Sequence, residues 1–239
     1  SWYFLTADYS FGHALEAEAT KVVVANGGQV LGSARAPLNT SDFSSYLLQA
    51  QASKAQVVGL ANAGADMMNS LKQANEFGLT DGGQNIAALL VNLPDIHALG
   101  LNSAKGLIFA DSFYWDLNDK TRAWSMRFME RFNGKAPGSL QAAVYGAVTH
   151  YLKAVEATKS DEGTVVAQQM RKTPINDFYT VNGSIREDGR VLRDIYLLQV
   201  KQPSESKYPW DYYKLLATVS GDKAFRSVKD GNCPLLTEK

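Results

Sequence analysis

The chain has 239 residues, 45% of them hydrophobic, enough for a packed core in one large or two small domains. Lysine plus arginine and aspartate plus glutamate number 24 each, so no net field draws the protein to nucleic acid or to an anionic membrane. No apolar run reaches the roughly 18 residues that a membrane-spanning helix requires. The single cysteine, Cys233 in DGNCPLL, has no internal disulfide partner and reads as a surface thiol whose partner, if any, lies outside the chain. No basic-then-apolar leader precedes Trp2, so an export signal is expected to be absent from these residues.

Residues 2–6 (WYFLT) form an apolar run of the kind found when helices cover both faces of a parallel sheet. After DYSFG, Leu15, Ala19 and Val22 recur at helical spacing, and Asn26-Gly27-Gly28 stops the helix before a strand at 29–32. The unit then repeats. Thr40-Ser41-Asp42 starts a helix with Phe43, Tyr46, Leu47 and Ala50 on one face, and a strand follows at 56–61 (QVVGLA). A third helix near 66–77 ends at Gly78, a fourth strand is expected at 85–91, a helical turn near 95–99 and a fifth strand at 107–110. This alternation predicts an α/β fold, a Rossmann-like doubly wound parallel sheet with right-handed crossovers.

Past Phe113 the rhythm changes. One helix places Trp124, Phe128 and Phe132 on a single face, and after KAPGS a second apolar helix runs over 140–158, with no strand between. A short helix near 164–171 precedes NDFYTVNGSIREDGRVLRDIYLLQVK, where NG and EDG mark turns between antiparallel strands. The remainder, rich in proline and aromatic residues, is expected to wrap over the surface.

Motifs for catalysis are missing: no phosphate-binding loop, no G-x-G-x-x-G after a strand, no G-x-S-x-G and no H-E-x-x-H. His13, His97 and His150 stand apart, without metal-ligand spacing, and read as structural histidines. Glu16 with Glu18, and Glu187 beside Asp188, suit solvated helix and turn positions better than an acid/base pair. The expectation is a protein that is not an enzyme and has no cofactor, catalytic residue or metal.

The ordered series FLTADYSFGHAL, DFSSYLLQAQASKAQVVGLANAGADMMNSLKQANEFGL, AKGLIFADSFYW, GSLQAAVYGAVTHYLKAVEA and NGSIREDGRVLRDIYLLQV resembles the branched-chain amino-acid-binding family of ABC-transporter solute receptors. These have the type I periplasmic binding-protein fold, two Rossmann-like lobes that close on a ligand. The resemblance runs through about residues 1 to 200. In that family a strand like WYFLT opens the second lobe, so the resemblance implies a fragment lacking the first part of the N-terminal lobe. It assigns 1–113 to the second lobe, 114–178 to helices of the first lobe, 179–202 to a crossover back, and 203–239 to a C-terminal extension. The helical face bearing Trp124, Phe128 and Phe132 would then lack its cover, and such an apolar patch favours self-association or disorder.

Ligands in open α/β sheets sit beyond the carboxyl ends of the strands. The resemblance therefore points to the loops that follow them. After strand one, Phe11 stands where the family has an aromatic residue just before a glycine, with Tyr9 nearby, and either could stack on a ligand. Two roles stay open for Phe11, stacking on a ligand and seating the helix on the sheet. After strand three, Asn62-Ala63-Gly64 replace a tyrosine and make a smaller wall. After strand four the sequence reads Leu89-Leu90-Val91-Asn92, where amino-acid-binding members carry a carboxylate for the ligand's ammonium group. No acid follows until Asp95, with Asp111 as another substitute. Tyr114 and Trp115 either add aromatic surface to the cleft rim or pack at the hinge.

A buried ammonium without a countercharge costs several kcal/mol. The resemblance and this absence together imply an extracytoplasmic, periplasmic solute-binding component of an ABC importer. Its ligand would be a small organic molecule such as an aromatic carboxylate rather than a free amino acid, and its partners the permease subunits. The ligand-sensing core of a receptor or regulator with the same fold is an alternative, and a Rossmann or flavodoxin-like enzyme a third.

Overall fold

The computed structural model describes residues 1–231 and 233–237. The chain divides into two compact units, Ser1–Ala110 with Leu198–Lys214, and Asp111–Leu197 with the residues from Leu215 onward.

In the first unit strands and helices alternate: β1 (Trp2–Ala7), α1 (Ser10–Ala25), β2 (Val30–Ala36), α2 (Ser44–Ala52), β3 (Val57–Ala61), α3 (Gly64–Glu76), β4 (Asn85–Ala88), α4 (Leu93–Leu99), α5 (Leu101–Ala104) and β5 (Ile108–Asp111). The strands lie in the order β2-β1-β3-β4-β5, and every one of these ladders is parallel. Parallel strands with helices on both faces bury both sides, which is why Phe4, Leu5, Val58 and Leu60 are sealed from solvent. Phe4 pairs with Gly59 across the β1/β3 ladder. A Cβ on Gly59 would stand 2.7 Å from the Phe4 ring, so the glycine makes room for the aromatic side chain. On the helical layer, Gln73 Oε1 accepts the Phe43 N–H at 2.7 Å while its Nε2 donates to the Ser41 carbonyl at 2.8 Å, tying α3 to the start of α2.

The second strand runs on to Ala36 rather than stopping at Gly32, because its pairing with β1 continues through Ala7↔Ala36. The fourth strand ends at Ala88 rather than Val91, because the chain leaves the sheet to set Asn92 as the cap of α4. The segment expected to wrap over the surface instead contains β9 (Tyr213–Val219), which lies beside β8 (Ile195–Val200) and extends the sheet to β2-β1-β3-β4-β5-β8-β9. Residues 198–200 of β8 and 213–214 of β9 belong to the first unit, where Tyr213 meets Phe109 edge-on at 4.9 Å.

The second unit carries α6 (Asp119–Arg131), α7 (Ser139–Thr158), α8 (Gly163–Lys172) and an antiparallel hairpin of β6 (Ser184–Ile185) and β7 (Val191–Leu192). Asn118 caps α6: its side chain accepts from the Lys120 and Thr121 N–H groups, and Thr121 Oγ1 accepts the Asn118 N–H. The face of Trp124, Phe128 and Phe132 is covered in part: Phe132 is 52% exposed and Phe128 half-buried. Trp124 is buried, stacked on Phe178 at 4.2 Å and flanked by Phe113 and Tyr145, because the loop after α8 folds back over it. An uncovered apolar row also lies on α7, where Leu140, Val144, Val148 and Leu152 are 64%, 65%, 51% and 56% exposed.

Candidate functional site at the carboxyl ends of the strands

Because β1, β3 and β4 run parallel, the loops after them leave the sheet on one edge. Tyr9, Phe11, Asn62, Ala63, Gly64, Leu90 and Asn92 all stand on that edge, in the loops or in the helix turns they lead into. Tyr114 follows the end of β5 by three residues and belongs to the second unit.

Helix α1 starts close against the strand ends. A Cβ on Gly12 would lie 2.1 Å from the Ala7 carbonyl oxygen and 3.0 Å from that of Ala61, so only glycine lets the helix seat there. Tyr9 occupies the N-cap and is 38% exposed, and its ring lies 5.7 Å from that of the half-buried Phe11. The two rings are tilted by 33° to one another. Beside Tyr9, the exposed Asp8 carboxylate meets His13 Nε2 at 2.8 Å. Sequence reasoning passed over this pair, although an acid directly after a strand's carboxyl end is its visible signal.

Asn62 is buried. Its Nδ2 donates to Ser70 Oγ at 3.1 Å, Ser70 Oγ donates to the Met67 carbonyl, and Asn62 Oδ1 has no hydrogen-bond partner. A sealed acceptor without a donor is costly, so this oxygen is the least satisfied polar atom of the edge. Ala63 is extended, and Gly64, at φ +57°, turns the chain into α3.

After β4, Leu90 is exposed while Val91 is buried. Asn92 and Asp95 form a capping box on α4, in which Asp95 Oδ2 accepts the Asn92 N–H at 2.9 Å. Asp95 is therefore committed to its own helix terminus. Asp66, at the first turn of α3, accepts the Asn39 N–H at 3.2 Å, and Glu16 accepts the Thr6 hydroxyl at 2.6 Å.

In the second unit Asp111 is enclosed. Ser112 N–H donates to it at 2.6 Å, and burial, opposed by hydrogen bonds from Ser139, Ser112 and Phe113, pushes its carboxyl up to about 6. Tyr114 and Trp115 are both buried, with ring centroids 6.2 Å apart.

The histidines are all engaged: His97 Nδ1 with Tyr212 Oη at 2.7 Å, His150 Nε2 with the Met170 carbonyl at 3.0 Å, and His13 as above. Among the described residues no group of three or more His, Cys, Asp or Glu side chains is placed to hold a metal ion.

A family model described as periplasmic binding protein matches residues 1–207. A periplasmic binding protein from Burkholderia mallei is 52% identical, with a TM-score of 0.93 over 98% of this chain and 62% of its own. A branched chain amino acid ABC transporter periplasmic ligand-binding protein from Burkholderia xenovorans LB400 is 39% identical, with a TM-score of 0.88 over 96% of this chain and 61% of its own. A solute binding protein from Rhodopseudomonas palustris BisB5, in complex with 3,4-dihydroxy benzoic acid, shares the fold at 19% identity and a TM-score of 0.79, over 92% of this chain and 60% of its own. No curated protein matches the chain. The chain thus spans about three fifths of the length of the solved structures it matches.

Proposed function

The chain belongs to the periplasmic binding protein family with the type I fold, and from that premise we propose that it is one face of the ligand cleft of an extracytoplasmic ABC-importer solute receptor. On this reading residues 1–113 supply the second lobe, and 114–178 are helices of the first. Lobe closure traps the ligand against Tyr9, Phe11, Asn62 and Leu90 and presents a surface to the permease subunits. The protein works by binding, not by chemistry.

The reading favours an aromatic carboxylate over a free amino acid. The observation that carries this is the Asn92–Asp95 capping box, which engages the acid nearest the fourth strand at its own helix start. Asp66 and Glu16 are likewise taken up by protein donors. The outward ring of Tyr9 offers stacking, and Asn62 Oδ1 would be satisfied by a ligand hydroxyl.

The test is a thermal-shift comparison on a protein that carries the full length of its relatives. A ligand at 100 times its dissociation constant adds about 2.7 kcal/mol of stability. Stabilisation by hydroxybenzoates and not by leucine is the expected result. Stabilisation by leucine would overturn the ligand class.

A further inference from the structure

The second unit contains a cavity of about 600 Å³ whose wall is rich in arginine. The hairpin builds it. Arg186 N–H donates to the Arg190 carbonyl and Gly189 N–H to that of Arg186, both at 2.9 Å, and Gly189 takes the left-handed φ of +82° that the turn requires. This puts Arg186, Arg190 and, beyond β7, Arg193 on one wall, which Arg226 completes.

Arg186 is neutralised. It grips Asp188 through Nε and Nη2 at 2.9 and 2.6 Å and donates Nη1 to the Arg226 carbonyl at 2.9 Å. Arg190, Arg193 and Arg226 make no ion pair among the described residues. Arg190 lies 5.3 Å from the Phe225 ring centre. Arg193 is the informative one. It is half-buried with its guanidinium 3.7 Å from the Tyr179 ring centre, and its Nη1 is sealed without a hydrogen-bond partner. Burial holds its pKa below the usual value, the mark of a cation whose lost hydration is not replaced. The carboxylate that acts on it through space, Asp177, already accepts the Tyr179 and Thr180 N–H groups at 2.8 and 2.6 Å. Asp194 accepts the Gly221 N–H at 3.2 Å. On the same wall Tyr179 and Ser112 share a hydroxyl–hydroxyl hydrogen bond of 2.8 Å.

Planar guanidinium groups match carboxylate and phosphate oxygens in paired hydrogen bonds. We infer that this cavity binds a compact anion of at least two negative charges, carrying phosphate or carboxylate groups, with Arg193 at its floor and Arg190 and Arg226 at its rim. Cys233, the chain's single cysteine, also lines the cavity and serves as a reporter.

The chain is titrated calorimetrically with inorganic phosphate and, separately, with citrate, and the reaction rate of Cys233 with a thiol reagent is followed in parallel. Saturable one-to-one binding of either anion, weakened by added sodium chloride and slowing the thiol reaction, is expected. Phosphate alone binding marks a phosphate-bearing ligand, and citrate binding marks a polycarboxylate. Arg193→Met is expected to weaken binding about tenfold or more, the value of a lost charge-assisted hydrogen bond. Should that variant fail to fold, Arg190→Gln with Arg226→Gln, both exposed positions, carries the same expectation with thermal unfolding unchanged. No saturable binding of either anion, or affinity unaltered in these variants, overturns the assignment.

Discussion

Two single residues set constraints that can be measured directly. Gly12 holds α1 against the carbonyl oxygens of Ala7 and Ala61, and because both obstacles are backbone, no rotamer change relieves an added methyl. Gly12→Ala is expected to cost about 1–3 kcal/mol or more, read as a fall in the denaturant midpoint at constant slope, and to shift Tyr9 with the helix start. Asp111 makes a pH prediction. Its folded pKa of about 6 lies above the ordinary 3.8, so the protonated carboxyl favours the folded state. Its stabilising contribution is complete below about pH 3.8 and is lost as pH rises through 6. Asp111→Asn should therefore flatten the decline in stability between these values, a difference on the order of 3 kcal/mol, visible in thermal unfolding at stepped pH. A decline of the same size in the variant would assign it to another group.

At the scale of elements, caps and ladders decide what a pattern becomes. The capping box on α4 is worth about 1 kcal/mol; Asn92→Ala should lower thermal stability by up to that amount, read in thermal unfolding, while Asp95 keeps its bond to the backbone N–H of residue 92. The β-α-β rhythm of the first unit is legible in sequence because buried parallel strands such as Trp2–Ala7 are unbroken apolar runs and because Asn26 and Gly78 mark helix ends. The far half of β2, Ser33 to Ala36, is not legible, since its small and charged side chains carry no strand signal and only pairing with β1 fixes it. β9 escaped for a related reason: most of its side chains are exposed, and its place beside β8 is a backbone fact. The places of Tyr9, Asn62 and Leu90 after the strand ends follow from strand order, whereas the hydrogen bond of Asp95 to the start of α4 follows from a three-residue reach of its side chain that a loop reading overlooks.

At the scale of the whole molecule, the exposed row on α7 is the feature most at odds with an isolated chain. Leu140, Val144, Val148 and Leu152 recur every four residues, so they form one stripe rather than scattered exposures. With Trp124, Phe128 and Tyr145 they line an open groove of about 760 Å³. Burying one such side chain is worth roughly 1.5–3 kcal/mol, so the stripe favours pairing with a second copy of the same helix when nothing else covers it. The chain is expected to show concentration-dependent association in sedimentation, and Val144→Lys with Val148→Glu to abolish it while leaving the stability of the first unit unchanged. If α7 belongs to a first lobe as proposed, a protein as long as the relatives, of which this chain spans 62% in the Burkholderia mallei case, should remain monomeric without those substitutions. Association of the longer protein through the same residues would instead make the stripe a true dimer interface and remove α7 from the first lobe.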